Sequence, residues 1–124
     1  MSAAISPEVV MACAIIAAKR AGQPVRIEDV SSLFAKLRQE RIDEVGKVAL
    51  RRIPRGLYSE DVEAFFGRLL AGGFATARSP LAVNEKGLDL CRELIDEERK
   101  SSPEAFEKMA HTLHFNVAYF SSQG

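Results

Sequence analysis

Hydrophobic residues recur at helical spacing in the middle of the chain, between positions 59 and 72. The apolar positions follow an i, i+3, i+4, i+7, i+8 pattern, which is typical of a helix with one buried face. They are Val62, Phe65, Phe66, Leu69 and Leu70. Ser59 precedes them as a helix cap, and Gly72 and Gly73 follow as a stop signal. The pattern therefore predicts a helix over residues 59–72.

The N-terminal segment is apolar on every side. Ser6 and Pro7 are typical of a helix start, and Gly22 is typical of a helix end. No polar side chain occurs in residues 9–18, and a helix that is apolar all round is buried on most sides. We expect either a central helix or a subunit interface.

Besides the uncertain stretch at residues 39–55, the pattern predicts three further helices and one hairpin. A helix is expected from about Ile27 to Arg38. Residues 39–55 are harder to assign: their apolar positions could line another helix, interrupted by Gly46 and ended by Pro54 and Gly56. Residues 74–78 and 81–83 predict a short β-hairpin. Asn84 then caps the next helix, and a C-terminal amphipathic helix is expected over residues 103–120.

Length and composition indicate one domain. The 124 residues are the size of a single domain, with a core predicted over residues 6–98. Seventeen basic residues balance seventeen acidic ones, so the overall charge points neither to nucleic acid nor to an anionic membrane. Cys13 and Cys91 match no metal or redox spacing, and we expect both to be reduced and buried. The apolar run at 9–18 is too short to span a membrane, which favours a cytoplasmic protein.

Residues 56–98 carry a family resemblance. A Gly-Leu-Tyr-Ser start, a helix, Gly72-Gly73, a tight hairpin and the turn at residues 84–87 follow one another in the order of the winged-helix superfamily. The turn is similar to that of small bacterial regulators, and residues 56–59 resemble Panacea-type antitoxin domains. The resemblance implies a mainly α, winged-helix-like fold with extra N- and C-terminal helices, and it implies no catalytic residue.

A winged helix that binds DNA would place residues 59–72 in the major groove. Bases are read mainly by Arg, Lys, Asn and Gln, whereas this helix begins with acidic residues that repel phosphates. The best basic segment is residues 47–55, which would position DNA without reading its sequence. A solvated helix face offset by Glu40, Asp43 and Glu44 is the competing and slightly preferred interpretation. The candidate nucleic-acid contacts are Lys47, Arg51, Arg52, Arg55, Arg68 and Arg78.

The same helix carries small residues opposite its apolar stripe. Ala64, Gly67 and Ala71 would allow a partner surface to pack closely. A solvent-exposed face without a role is the competing interpretation.

Metal chemistry is suggested only by Glu107, His111 and His114. These residues share one face of the predicted last helix at i, i+4 and i+7, and their side chains can bind zinc or iron. Three ligands from one exposed helix rarely converge on one ion, so a polar border of the apolar stripe is the preferred interpretation. No phosphate-binding loop or nucleophile motif occurs, and we expect neither a cofactor nor catalysis.

Three classes of function remain at this point. The preferred one is a non-catalytic regulatory module that binds a protein, either its own copy or a regulatory partner. The alternative is a winged-helix DNA-binding transcriptional regulator that uses residues 47–55, and a metal-dependent enzyme is a distant third. The apolar surfaces at 9–18 and 106–120 also predict a homodimer.

Overall fold

The computed structural model of the protein describes residues 5–40 and 48–120. Over these residues the fold is mainly helical, with two short antiparallel hairpins. The helices are α1 (Pro7–Ala21), α2 (Ile27–Gln39), α3 (Glu60–Ala71), α4 (Glu85–Ser101), α5 (Pro103–Thr112) and a 3-10 helix (Val117–Phe120). The strands are β1 (Arg51–Ile53), β2 (Gly56–Tyr58), β3 (Ala75–Arg78) and β4 (Leu81–Val83). Within the described ranges, no helix is long and apolar enough to cross a membrane.

Helix α1 lies at the centre of the core. Residues 9–16 are all buried, and the helix packs against α4 and the terminal 3-10 helix. It ends at Gly22, which adopts the left-handed conformation with φ 68°. The surface that favoured a subunit interface is therefore covered within one chain, which removes the main argument for a homodimer.

The predicted hairpin over residues 74–83 is confirmed as β3 and β4. A third extended segment joins it at Val25, where the Leu81 N–H donates to the Val25 carbonyl over 2.8 Å. The Asn84 side chain caps α4 by accepting from the Gly87 N–H over 3.0 Å, and its amide donates to the Gly73 carbonyl. Asn84 thus ties the hairpin, the end of α3 and the start of α4 together.

The prediction of a single hairpin is wrong. β1 and β2 form a second antiparallel pair, with Arg51 opposite Tyr58 and Ile53 opposite Gly56. The possible helix over residues 39–55 does not extend to Arg55, since residues 48–50 have no regular structure and residues 51–53 are extended. The rest of that prediction, at residues 41–47, lies outside the described residues. Pro54 lies in the hairpin turn and Gly56 begins β2 directly after it, where a fixed φ and a positive φ (134° at Gly56) are both useful.

The C-terminal helix is shorter than the pattern predicts. α5 ends at Thr112, and the chain turns at His114, whose φ is 59°. Phe120 is nevertheless buried, because the 3-10 helix returns it to the core, where it meets Phe106 and Phe115 edge to face. Val117, predicted to continue the stripe, is 42% exposed.

Candidate interaction surface on helix α3

Helix α3 has the boundaries and most of the buried stripe that its pattern predicts. The Ser59 hydroxyl accepts from the backbone N–H groups of Asp61 and Val62, which satisfies two donors of the first turn. Val62, Phe65, Phe66 and Leu69 are buried. Leu70, predicted to belong to the buried face, is 41% exposed. It is one of two large apolar side chains that are exposed in the described part of the chain.

The small residues of α3 lie on its outer side. Ala64 and Ala71 are exposed and Gly67 is half-buried. Leu70 follows Gly67 by three positions, so it lies on the same side of the helix, one turn away. The outer side therefore combines small residues with one exposed apolar side chain.

Two arginines border this outer side. The Arg78 Nη1 atom comes within 3.9 Å of the place where a Cβ on Gly67 would sit, so the end of β3 reaches over the helix at that point. The Arg68 guanidinium lies 5.8 Å from the centre of the Phe65 ring. Both side chains are exposed, and within residues 5–40 and 48–120 neither has an ion-pair partner.

The arginines of the second hairpin are engaged differently. Arg51 pairs with Glu60 at 3.7 Å, and its guanidinium lies 4.7 Å from the centre of the Tyr58 ring. Arg55 pairs with Glu28 at 3.4 Å. Arg52 is exposed and has no ion-pair partner among the residues described, while Lys47 lies outside them. Two of the four basic residues predicted at 47–55 are thus already matched with carboxylates.

The acidic residues at the start of α3 hold the neighbouring segment in place. The Asp61 carboxylate accepts from the Ala49 N–H over 3.1 Å. The Glu63 carboxylate accepts a hydrogen bond from the Tyr58 hydroxyl, and this contact is the main reason that the Tyr58 pKa is raised. Arg38 of α2 donates to the Val48 carbonyl on the other side of the segment. These carboxylates therefore serve the attachment of the β1–β2 hairpin as well as the helix dipole.

The predicted metal ligands do not form a site. Glu107 and His111 are exposed on α5, but the helix ends at Thr112 and His114 lies beyond it in a turn. The i, i+4, i+7 spacing therefore no longer puts the three side chains on one face. No group of three or more metal-ligating side chains is found in the described part of the chain.

The two cysteines are buried and reduced, as the sequence predicts. Burial raises the pKa of the Cys91 thiol to about 12 and raises that of Cys13 still further. Because the thiolate is the nucleophile, thiols with raised pKa values in the core are unreactive.

Two cavities around the start of α2 were not predicted. One, of about 310 Å³, lies between α1, α2 and Phe115, and the other, of about 360 Å³, lies beside Arg55 and the β3–β4 turn. Arg26 and Asp29 line both. In the sequence, Gln23-Pro24-Val25 before α2 indicates only a short extended segment, and nothing in that pattern indicates a cavity.

Comparison with known proteins adds no assignment, since no family model, no curated protein and no solved structure matches this chain.

Proposed function

We propose that this chain is a non-catalytic regulatory module that binds a partner protein through the outer side of α3. The observation that carries the proposal is the exposed set of Ala64, Gly67, Leu70 and Ala71. Small residues let a partner backbone approach closely, and an exposed leucine supplies an apolar contact at the centre of such a surface. Arg68 and Arg78 at its border favour a partner with carboxylates at matching positions.

The order of elements supports a winged-helix-like architecture for this module. α1, the extended segment at Val25, α2, α3 and the β3–β4 hairpin follow in that order, and Val25 pairs with β4. In this assignment α3 corresponds to the recognition helix and the β3–β4 hairpin to the wing. The β1–β2 hairpin is an insertion between α2 and α3, and α5 is an addition after the core.

The charge arrangement disfavours sequence-specific DNA binding. Arg51 and Arg55 are paired with Glu60 and Glu28, so a phosphate would have to compete with a carboxylate for each of them. α3 begins with Glu60 and Asp61, where a recognition helix normally approaches the DNA. A protein partner does not meet this repulsion.

Site-specific photocrosslinking in the source cells tests the proposal. A photoreactive residue at Ala71 should give a discrete adduct with one protein, and Leu70→Glu should abolish it. The same photoreactive residue at Lys108, exposed on α5, serves as the matched control. Identical adducts at both positions, or an Ala71 adduct that survives Leu70→Glu, would count against the proposal.

A DNA-binding regulator is the second candidate, and one observation favours it. Arg52, Arg68 and Arg78 are exposed and have no ion pairs in the described ranges, and the last two border α3. Fluorescence anisotropy with random-sequence duplex at low and moderate salt separates the candidates. Binding that falls steeply with salt and is lost in Arg68→Ala/Arg78→Ala would support the DNA regulator. An absence of DNA binding even at low salt would favour the protein-binding proposal over the DNA-binding one.

A further inference from the structure

The start of α2 lies between two cavities of opposite character. The first is lined mainly by apolar side chains from α1, α2 and the terminal segment: Ala14, Ala18, Val25, Val30, Leu33 and Phe115. The second is lined by polar and charged side chains together with the β3–β4 turn: Arg26, Glu28, Asp29, Arg55, Ser79 and Pro80. Because Arg26 and Asp29 belong to both walls, the two cavities are neighbours.

The apolar cavity has the size and lining of a small-molecule site. Its volume of about 310 Å³ is at the lower end of the range for ligand pockets, which are mostly apolar with a few polar groups at fixed places. The Phe115 ring is part of its wall and is fixed from behind by Phe120, 5.8 Å away edge to face. An aromatic or branched aliphatic group would therefore meet a preformed apolar wall.

The charges at the shared wall define what the rest of the ligand must carry. The polar cavity has two arginines and two carboxylates, and Arg55 and Glu28 already pair with each other at 3.4 Å. Arg26 and Asp29 remain, one of each sign, and within the described residues neither has an ion pair or a hydrogen-bonded side-chain partner. A ligand with a single charge would satisfy one of them and leave the other without a partner.

Arg26 and Asp29 both lie on the wall that the two cavities share. Arg26 is the residue before the first turn of α2, and Asp29 lies three positions later. Arg26 is the extended cap residue, Asp29 lies in the first helical turn, and both border the same two cavities. A ligand that carries both charges on substituents of one carbon matches this pair of opposite charges.

We infer that the paired cavities bind a free α-amino acid with an apolar side chain. Its carboxylate contacts the Arg26 guanidinium, its ammonium group contacts the Asp29 carboxylate, and its side chain enters the cavity beside Phe115. Such a site would make the module responsive to the level of an apolar amino acid.

This inference is independent of the partner-binding proposal. No residue of α3 lines either cavity, and no residue of either cavity belongs to the set at 64–71. Loss of ligand binding therefore leaves the crosslinking at Ala71 unaffected, and failure of the crosslinking leaves the cavities unaffected.

A ligand series with the 124-residue chain tests the inference. Titration of the ¹⁵N-labelled protein with L-phenylalanine and with L-leucine, followed by NMR, should shift the amide signals of Val25, Val30 and Phe115 in a saturable way. L-Serine lacks the apolar side chain, 3-phenylpropanoate lacks the ammonium group, and L-phenylalaninamide lacks the carboxylate. We expect each of these three compounds to bind about threefold to tenfold more weakly than L-phenylalanine. Each loses either the apolar contacts or one charge-assisted contact at an exposed position.

Substitutions then assign the contacts. Arg26→Gln should weaken the binding of L-phenylalanine and leave the binding of L-phenylalaninamide unchanged. Asp29→Asn should also weaken the binding of L-phenylalanine, but it should leave the binding of 3-phenylpropanoate unchanged. Arg52→Gln is the matched control, because Arg52 is an exposed arginine that lines neither cavity. Ala18→Phe should fill the apolar cavity and abolish binding, with its amide spectrum serving as the check on folding.

Three results would overturn the inference. They are an absence of saturable shifts with both apolar amino acids at millimolar concentration, equal affinity for 3-phenylpropanoate and L-phenylalanine, and shifts that map outside the cavity walls. The ligand series on the unsubstituted protein decides the question even if Ala18→Phe fails to fold.

Discussion

Gly87 lies in the first turn of α4, where the helix passes closest to the chain leaving α3. A Cβ at this position would sit 2.2 Å from the Phe74 carbonyl oxygen and 3.1 Å from the Val83 Cβ. The first contact is with backbone, so it cannot be relieved by a side-chain rotation. The glycine is required because the helix and the β3–β4 hairpin approach each other too closely for any side chain.

Gly87→Ala should therefore destabilise the protein, even though alanine favours helix. We expect a loss of about 1–3 kcal/mol in the free energy of unfolding, as for other substitutions that overpack a closed site. Chemical denaturation measures it. Gly67→Ala on α3 is the matched control, since its nearest contact is the flexible Arg78 side chain at 3.9 Å. That variant should gain up to about 1 kcal/mol. Equal stabilities for the two variants would contradict the close approach at Gly87.

The buried thiols make stability depend on pH in the alkaline range. A Cys thiol titrates near pH 9 when exposed, whereas burial raises the pKa of Cys91 to about 12. Between these values the unfolded chain has lost the proton and the folded chain has kept it. Between about pH 9 and pH 12, this thiol should lower the free energy of unfolding by about 1.4 kcal/mol per pH unit. Below pH 9 its contribution to stability should be fully retained.

Urea denaturation at a series of pH values measures this slope. The double variant Cys13→Ala/Cys91→Ala provides the reference, because the difference between the two slopes removes the titration of all other groups. Parallel stability profiles for the two proteins above about pH 9 would contradict buried, neutral thiols.

At the scale of elements, the start of α3 depends on one side chain. The Ser59 hydroxyl accepts from two N–H groups of the first turn and is buried. Ser59→Ala should cost about 1–2 kcal/mol of unfolding free energy, measured by thermal or chemical denaturation. Ser32→Ala on α2 is the control, since that hydroxyl is exposed and donates only to a carbonyl of its own helix. A loss at Ser32 as large as the loss at Ser59 would show that capping is not the cause.

The elements with strong local signals were predictable from the sequence. α3, α4 and the β3–β4 hairpin have side-chain caps, glycine stops or alternating apolar positions within a few residues of their ends. α1 was predictable too, because its apolar run admits only a buried helix. In each case the chain's own residues satisfy the backbone at the element's ends, so little depends on distant contacts.

The remaining elements depend on contacts that are distant in sequence. β1 and β2 have three residues each, too few for a period to be recognised, and the hairpin packs on α2 and is held by Asp61 of α3. The stripe over residues 106–120 is interrupted by a turn at His114, and an apolar side chain beyond a turn can still reach the core, as Phe120 does. Periodicity records which residues are buried, and it does not record that the chain turns between them.

Over the whole molecule, the small residues of the candidate surface were predictable from the sequence, whereas the ion pairs of the basic residues were not. Ala64, Gly67 and Ala71 lie on the outer side of α3 because helical spacing alone decides it. Arg55 meets Glu28, 27 positions earlier in the chain, only because the β1–β2 hairpin packs on α2. A basic run in a sequence therefore overstates the positive charge that the folded surface presents.

The distribution of exposed apolar side chains also bears on whether the chain forms a dimer. Residues 9–16, the strongest sign of a subunit interface in the sequence, are covered by α4 and the terminal 3-10 helix of the same chain. Leu70 and Val117 are the only large apolar side chains exposed in the described ranges, and they lie on different elements. Stable dimers bury roughly 800 Å² of each partner around an apolar centre, which two isolated side chains do not provide, whereas the smaller interface of a transient complex with another protein can be built around one exposed leucine.

We therefore expect a monomer at micromolar concentration. Light scattering coupled to size exclusion should give a single mass near 13.6 kDa that does not change with concentration. A mass of twice that value would mean that the chain's partner is its own copy, and Leu70→Glu would then decide which face is involved. If that substitution restored the monomer, the outer side of α3 would be the dimer interface. If it did not, the interface would lie elsewhere, and α3 would remain available to a different protein.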